Sequence, residues 1–358
     1  MILIQEFFIF IVLTHMNLIM MKKYISIISV LIIFILTTQL ADAQHRRFRD
    51  YIGKTFPIDS VRAHDPVIIK QDSVYYVFST GFGINMMSST DLVKWKIEHP
   101  VFSEPPQWAI ETIEGYRGHT WAPDISFFNG QYYLYYSVSA FGKNTSCIGV
   151  ATNKTLHPND SNYLWVDHGK VIQSVPGQTN WNAIDGNLMV DDAGVPWLSF
   201  GSFWGGLKLV RLKANGFSPD EDINKIPTIA TRRTGPEDKR ENSIEAPFIY
   251  KKGAYYYLFA SIDLCCKGIN SNYKLIVGRS KMVQGPYLDQ EGVRMDQGGG
   301  TILLQGDDRW AGVGHNGVAR MDGKDLIVYH GYDLQDEGRS KLIIKELNWI
   351  DGWPVVIE

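Results

Sequence analysis

The sequence predicts an all-β fold, a five-bladed β-propeller in a single domain, on three observations. A phrase of apolar strand, turn, Tyr-rich strand and third strand recurs about every sixty residues. Within each copy apolar residues alternate over short runs, and no stretch keeps a helical period beyond a turn or two. The chain of 358 residues also carries 33 glycines and 15 prolines, enough for many turns. An antiparallel unit of this size cannot bury both its faces alone, and radial stacking of four-stranded units closes them into a ring.

The first copy reads HDPVIIKQDSVYYVFSTG from His64 to Gly81, and the second APDISFFNGQYYLYYSVS from Ala122 to Ser139. The third is IDGNLMVDDAGVPWLSFGS, Ile184 to Ser202, and the fourth IEAPFIYKKGAYYYLFASI, Ile244 to Ile262. The fifth is GHNGVARMDGKDLIVYHGY, Gly314 to Tyr332. Asn129-Gly130, Ala193-Gly194, Lys252-Gly253 and Asp322-Gly323 are hairpin turns between the first two strands of their copies. The copies lead with Asp65, Asp124, Asp185, Glu245 and His315. The innermost strand of a blade lines the channel, so these leading residues are expected to converge on one mouth of it. A lone Asp at a strand start is most often a turn cap. Asp65, Asp185 and Glu245 at equivalent positions are different, because like charges converging on a tunnel cost stability unless something uses them.

Ahead of the repeats, Lys22-Lys23, the apolar run Tyr24 to Leu40 and Ala41-Asp42-Ala43 have the order of a secretory signal. That predicts a start at Met21 and cleavage after Ala43, so that residues 1–43 are an upstream mis-start plus a leader and 44–358 the propeller. A net charge of −3 with no block of like charge gives no footprint for nucleic acid or an anionic membrane. Three cysteines, Cys147, Cys265 and Cys266, make neither a disulfide framework nor a zinc site, and are expected to be buried small hydrophobes.

Three converging carboxylates suit glycoside hydrolysis, which needs one acid to protonate the leaving oxygen and one carboxylate to activate water. A third carboxylate nearby raises the acid's pKa by repulsion. Glu245, in an apolar strand and with the longer reach, is the candidate acid, Asp65 the candidate base and Asp185 the modulator. Sugar rings also need flat apolar platforms, for which Trp121, Phe141, Trp181, Phe203 and Trp204 stand near blade starts or in loops. His315 shares the ring with the carboxylates, and a hard cation such as Ca²⁺, held loosely there, is the expected cofactor.

AHDP at Ala63–Pro66, TWAPDI at Thr120–Ile125, SCIGVATN at Ser146–Asn153, NAIDGNL at Asn182–Leu188, SFGSFWGG at Ser199–Gly206, SIEAPF at Ser243–Phe248, VGRS with QGPY between Val277 and Tyr287, and GHNGV at Gly314–Val318 together resemble glycoside hydrolase family 43. Its endo-1,5-α-L-arabinanases are the nearest in pattern. The resemblance implies a five-bladed propeller and an inverting mechanism with Asp65 as base, Asp185 as modulator and Glu245 as acid. It implies that His315 faces a channel metal, commonly calcium, and that Asn182, the backbone of Ala183 and Ile184, and Ser202, Phe203 and Trp204 line the substrate. The expected activity is cleavage of internal α-1,5-L-arabinofuranosidic bonds of arabinan by an exported monomer, periplasmic or secreted. An exo-acting α-L-arabinofuranosidase or β-xylosidase is the alternative, and a non-catalytic glycan-binding propeller a remote one. Two departures stand out. Gly186 occupies a place where the arabinanases often carry Pro, and residues 292–314 form an insertion expected to rim the cleft.

Overall fold

The computed structural model describes residues 50–235, 237–238 and 240–357, so the predicted leader and its cleavage site lie outside the described residues. The chain divides into Met1–Ile52 and Gly53–Glu358, and every strand below belongs to the second unit. Five antiparallel sheets follow one another along the chain. Blade I runs from the channel outward as Val67–Gln71, Val74–Ser79, Asn85–Ser89 and Lys94–Ile97, with Thr55–Pro57 added outside. Blade II is His119–Phe128, Gln131–Val138, Ser146–Asn153 and Val166–Ser174, with Gly81–Phe82 paired to its inner edge. Blade III comprises Asn187–Val190, Pro196–Phe200, Leu207–Arg211 and Thr228–Ala230. Blade IV comprises Ile244–Lys252, Tyr255–Ile262, Lys274–Ser280 and Thr301–Leu304, and blade V Trp310–Met321, Lys324–Asp333, Arg339–Ile350 and Trp353–Val356.

The Tyr-rich second strands hold the ring together because they are buried on both faces. In Gln131–Val138, Tyr132, Leu134, Tyr136 and Val138 pack toward blade I, while Tyr133 and Tyr135 pack toward blade III. In Tyr255–Ile262, Tyr256, Leu258, Ala260 and Ile262 enter one core and Tyr257 and Phe259 the next. Side chains alternate between faces with a period of two, so one strand supplies two inter-blade cores and reads as a continuous apolar run. Blades V and I meet without exchanging a strand. There, the Leu342 N–H donates to the Val61 carbonyl at 3.0 Å, and the Asp322 carboxylate accepts from Lys70 and the Tyr75 hydroxyl.

Each blade enters the channel through one residue in the left-handed region: Asp65 (φ 53°), Ala122 (φ 44°), Asp185 (φ 58°), Ala246 (φ 54°) and His315 (φ 54°). In blades II, IV and V a register shift marks the same spot. This geometry corrects the sequence alignment of two blades. The equivalents of Asp65 are Ala122 and Ala246, so Asp124 lies two residues beyond the bulge and Glu245 one before it. A bulge adds a residue and changes which face the next side chain takes, which strand periodicity alone does not reveal. The non-glycine residues there cost about 1–3 kcal/mol each, a strain that persists only where the surroundings impose it.

The imposing contacts come from the preceding blade. Thr80 Oγ1 accepts from the Ala122 N–H at 2.8 Å, Ser137 Oγ from Asp185 at 2.9 Å and Ser261 Oγ from His315 at 2.8 Å. His330 Nδ1 does the same for Asp65 at 3.1 Å. Proline follows the bulge at Pro66, Pro123 and Pro247, where it leaves no N–H to satisfy. At Gly186 a Cβ would meet Ile148 and Leu198 methyls at 3.2–3.3 Å, so neighbouring side chains fill that space instead. The 292–314 segment is part of the blades themselves. It supplies Thr301–Leu304, the outermost strand of blade IV, and then begins the inner strand of blade V.

Candidate active site

Every blade contributes to the channel wall, with Val67, Asp124, Asp185, Phe248 and His315 facing one cavity. Asp65 sits at its mouth with both carboxylate oxygens engaged. Oδ2 accepts from Thr80 Oγ1 at 2.5 Å, and Oδ1 lies 2.8 Å from His64 Nδ1 and 3.0 Å from His315 Nδ1. Burial pushes this carboxyl upward, but the two imidazoles outweigh it and hold it well below the usual carboxylate range. His315 responds in kind. Burial draws it down, yet Asp65 above all, with Asp185 and Glu245, pushes it up to about 9.

Asp185 is the carboxyl that this cluster keeps protonated. Burial is the largest cause, and Glu245 and Asp65 add to it by repulsion, against the opposing pull of His315 and the Ala246 N–H. That N–H donates to Asp185 Oδ2 at 3.1 Å. Glu245 is held by hydroxyls: Tyr273 donates to Oε1 and Ser202 to Oε2, each at 2.8 Å. Burial first, then Glu245, Asp185 and Asp65, raise the Tyr273 phenol well above its ordinary range, so it stays a donor. The expected trio therefore assembles, with His315 against all three carboxylates. Asp124 does not join it. Its oxygens accept from Asn187 Nδ2 at 3.1 Å and the Leu188 N–H at 2.9 Å, clamping blade II to blade III, and burial raises it to about 6.

The predicted substrate residues separate into two groups. Phe141, 82% exposed, stands in the loop before Ser146, and Trp121 is half-exposed with its Nε1–H on His119 Nδ1 at 2.8 Å. Phe203 and Trp204, half-exposed at φ 54° and 34°, form the turn after Ser202, tied to the strand of Glu245 by the Phe203 N–H donating to the Ile244 carbonyl at 2.9 Å. Asn182, Ala183 and Ile184 are buried, as is Trp181, which packs edge-on against Phe200. Asn182 Oδ1 accepts from Ser146 Oγ at 2.6 Å, as a buried amide must find a partner. Ile184 accepts from the Gly201 N–H at 2.9 Å. This segment braces the approach to Asp185, with its side chains at 182 and 183 buried.

Sequence reasoning missed His64, Thr80, Tyr273, His330 and Tyr332. A signal existed for several of them: near the end of each second strand stands a polar residue, Thr80, Ser137, Ser202, Ser261 and His330. The cysteine expectation holds for Cys147, which is free and buried, and fails for the other two. Cys265 and Cys266 are bonded to each other in a turn, half-exposed and exposed.

Two places could be considered for a cation. His64, Asp65 and His330 bring ligand atoms within 4.8 Å of one another, but those atoms already pair among themselves and with Tyr332. Around His315 the fit is better. Its Nδ1 serves Asp65, leaving Nε2, and the neighbouring Asn316 is buried in the channel wall with neither amide atom partnered. An orphaned amide oxygen, and the His315 Nε2 once an ion displaces its proton, fit a hydrated hard ion with few protein ligands.

Comparison with known proteins agrees with the geometry. A structure of an exo-1,5-α-L-arabinanase from a bovine ruminal metagenomic library superposes with TM-score 0.80 at 50% identity, covering 83% of this chain and 97% of that one. A Cellvibrio cellulosa α-L-arabinanase solved with arabinohexaose gives 0.79 at 49%, covering 83% and 96%. In sequence, the extracellular exo-α-(1→5)-L-arabinofuranosidase of Cellvibrio japonicus is 50% identical over 83% of this chain and 87% of its own length. The extracellular endo-α-(1→5)-L-arabinanase 1 of Bacillus subtilis is 42% identical over 81% and 86%. Residues 55–354 match glycosyl hydrolases family 43, which spans all five blades. With the fold, the carboxylate cluster and these relatives in agreement, the chain is a glycosidase that belongs to glycosyl hydrolases family 43.

Proposed function

We propose that the protein hydrolyses α-1,5-linked L-arabinofuranosyl chains with inversion at the anomeric carbon. The observation that carries this reading is the unequal treatment of Asp65 and Glu245. Asp65, between His64 and His315, is ionised across the working pH range and free to take a proton from water. Glu245 sits opposite in a cradle of hydroxyls, able to pass a proton to the departing glycosidic oxygen. Asp185, bound to the Ala246 amide beside Glu245, keeps the acid's backbone in place and modulates the charge around it. Phe203, Trp204 and the exposed Phe141 are the platforms for furanose rings.

Cleavage of internal bonds is the reading the motifs favour. Release from a chain end is the second reading, supported by 50% identity to an exo-acting relative against 42% to an endo-acting one. Both relatives are extracellular, in keeping with an exported enzyme. A calcium ion would be held by His315 and Asn316, and when bound it would supply fixed positive charge beside the carboxylates. Digestion of linear arabinan with product chromatography tests the function. A ladder of oligomers supports internal cleavage, a single short product supports release from the end, and no hydrolysis of arabinan overturns both.

A further inference from the structure

We propose that Tyr332 and His64 are positioning residues for the Asp65 carboxylate, tied in place by the Cys265–Cys266 turn. The proton assignment starts from two backbone amides, which can only donate. The Asp65 N–H lies 3.1 Å from His330 Nδ1, so that nitrogen is bare and the neutral, buried His330 carries its proton on Nε2. His330 Nε2–H donates to the Tyr332 oxygen at 3.1 Å, and the Cys266 N–H donates to the same oxygen at 2.7 Å. Of the remaining neighbours, the Ser271 hydroxyl can itself donate to Tyr332, and the Tyr332 O–H turns to His64 Nε2 at 2.8 Å. His64 is left with its proton on Nδ1, directed at Asp65 Oδ1 at 2.8 Å. The His64 ring is fixed in plane as well as in tautomer, because it stacks on His330 with centroids 4.0 Å apart and 26° between planes.

The chain of donors thus runs in one direction, from the Cys266 amide through Tyr332 and His64 to the carboxylate. Bonding between adjacent cysteines belongs to a tight turn that carries Cys266 at φ 65°, its Sγ 3.8 Å from His64 Nε2 on the solvent side of the relay. Without the Tyr332 hydroxyl the His64 ring loses the contact on Nε2 that fixes its orientation, and its Nδ1–H is held only by the Asp65 carboxylate it serves. One of the bonds that set the carboxylate's angle would then be less firmly aimed, and small misplacements of a reacting group are expensive in rate.

This inference rests on Asp65 as the base, and the test separates the two claims. Linear arabinan is the substrate, and kcat and KM are measured for the wild type, Tyr332→Phe, His64→Ala, His64→Asn and Asp65→Asn, with circular dichroism as a check on folding. Tyr332→Phe should lower kcat about tenfold with KM within about twofold, and His64→Ala should lower kcat about 10²-fold. Asn offers an amide N–H where Nδ1–H stood, so His64→Asn should regain about tenfold over His64→Ala. Full kcat in Tyr332→Phe, equal loss in the Ala and Asn variants, or a loss confined to KM would overturn the positioning role. If Tyr332→Phe does not fold, the His64 pair decides alone. Full activity in Asp65→Asn would instead overturn the base assignment.

Discussion

The two ends of the catalytic mouth are built from different materials. At blade I, Asp65 is surrounded by imidazoles, with His64 and His315 on one oxygen, Thr80 on the other and His330 on its amide. At blade IV, Glu245 has no imidazole or cation in hydrogen-bond contact among the described residues and rests on Tyr273 and Ser202. The bulge geometry explains the contrast. Asp65 occupies the left-handed position itself, whereas Glu245 sits one residue earlier, with Ala246 in that position. One carboxylate is therefore pinned and kept charged, and the other is cradled by groups that can either donate or accept. A general base and a general acid need those two environments.

The largest effects should come from removing the carboxylates themselves. Asp65→Asn and Glu245→Gln should each lower kcat on arabinan about 10²- to 10⁴-fold. Steady-state kinetics on purified, folded variants checks this, and a loss below tenfold in either would remove that residue from its role. Next, Tyr273→Phe should cost about tenfold in kcat, the scale of one hydrogen bond to a charged group, and Ser202→Ala a similar or smaller amount. If both variants kept full kcat, the hydroxyl cradle would be irrelevant to the acid.

Asp185 gives a pH test of smaller size. Its carboxyl is raised in the fold, so its contribution to stability is complete below the unfolded carboxylate value and is lost as pH rises through the folded one. The melting temperature of the wild type should therefore fall relative to Asp185→Asn between pH 5 and pH 9, a few degrees on the scale of ~1 kcal/mol. Parallel curves from calorimetry would show that Asp185 is not held protonated. The smallest effect expected is that of a chelator. Treatment with EDTA should lower the melting temperature by a few degrees, with calcium restoring it, and Asn316→Ala should abolish that difference.

Much of this was legible in the sequence, for a physical reason. A strand buried on both faces between neighbouring blades must be apolar throughout, so YYLYYSV and YYYLFAS announce themselves and their spacing counts the blades. The three carboxylates were legible because they fall at the start of those units. The bulges were not, since one extra residue changes the facing of a side chain without changing composition, and Asp124 was accordingly aligned with Asp65 in place of Ala122. Thr80 and His330 left a signal in the recurring polar residue near the end of each second strand, whereas Tyr273, just before the third strand of blade IV, left none. The Cys265–Cys266 bond needed the turn's geometry, which adjacent cysteines do not specify.

The most direct test of the account is the dependence of each variant on the leaving group. Glu245→Ala and Asp65→Ala would be compared on linear arabinan and on a 4-nitrophenyl glycoside of an α-1,5-arabino-oligosaccharide, whose phenol departs without an acid. The account predicts that Glu245→Ala recovers about 10²-fold or more on the nitrophenyl substrate relative to arabinan. Asp65→Ala, lacking the base that activates water, should remain equally impaired on both. Equal impairment of Glu245→Ala on the two substrates, or recovery by Asp65→Ala, would contradict the division of labour between the two ends of the mouth.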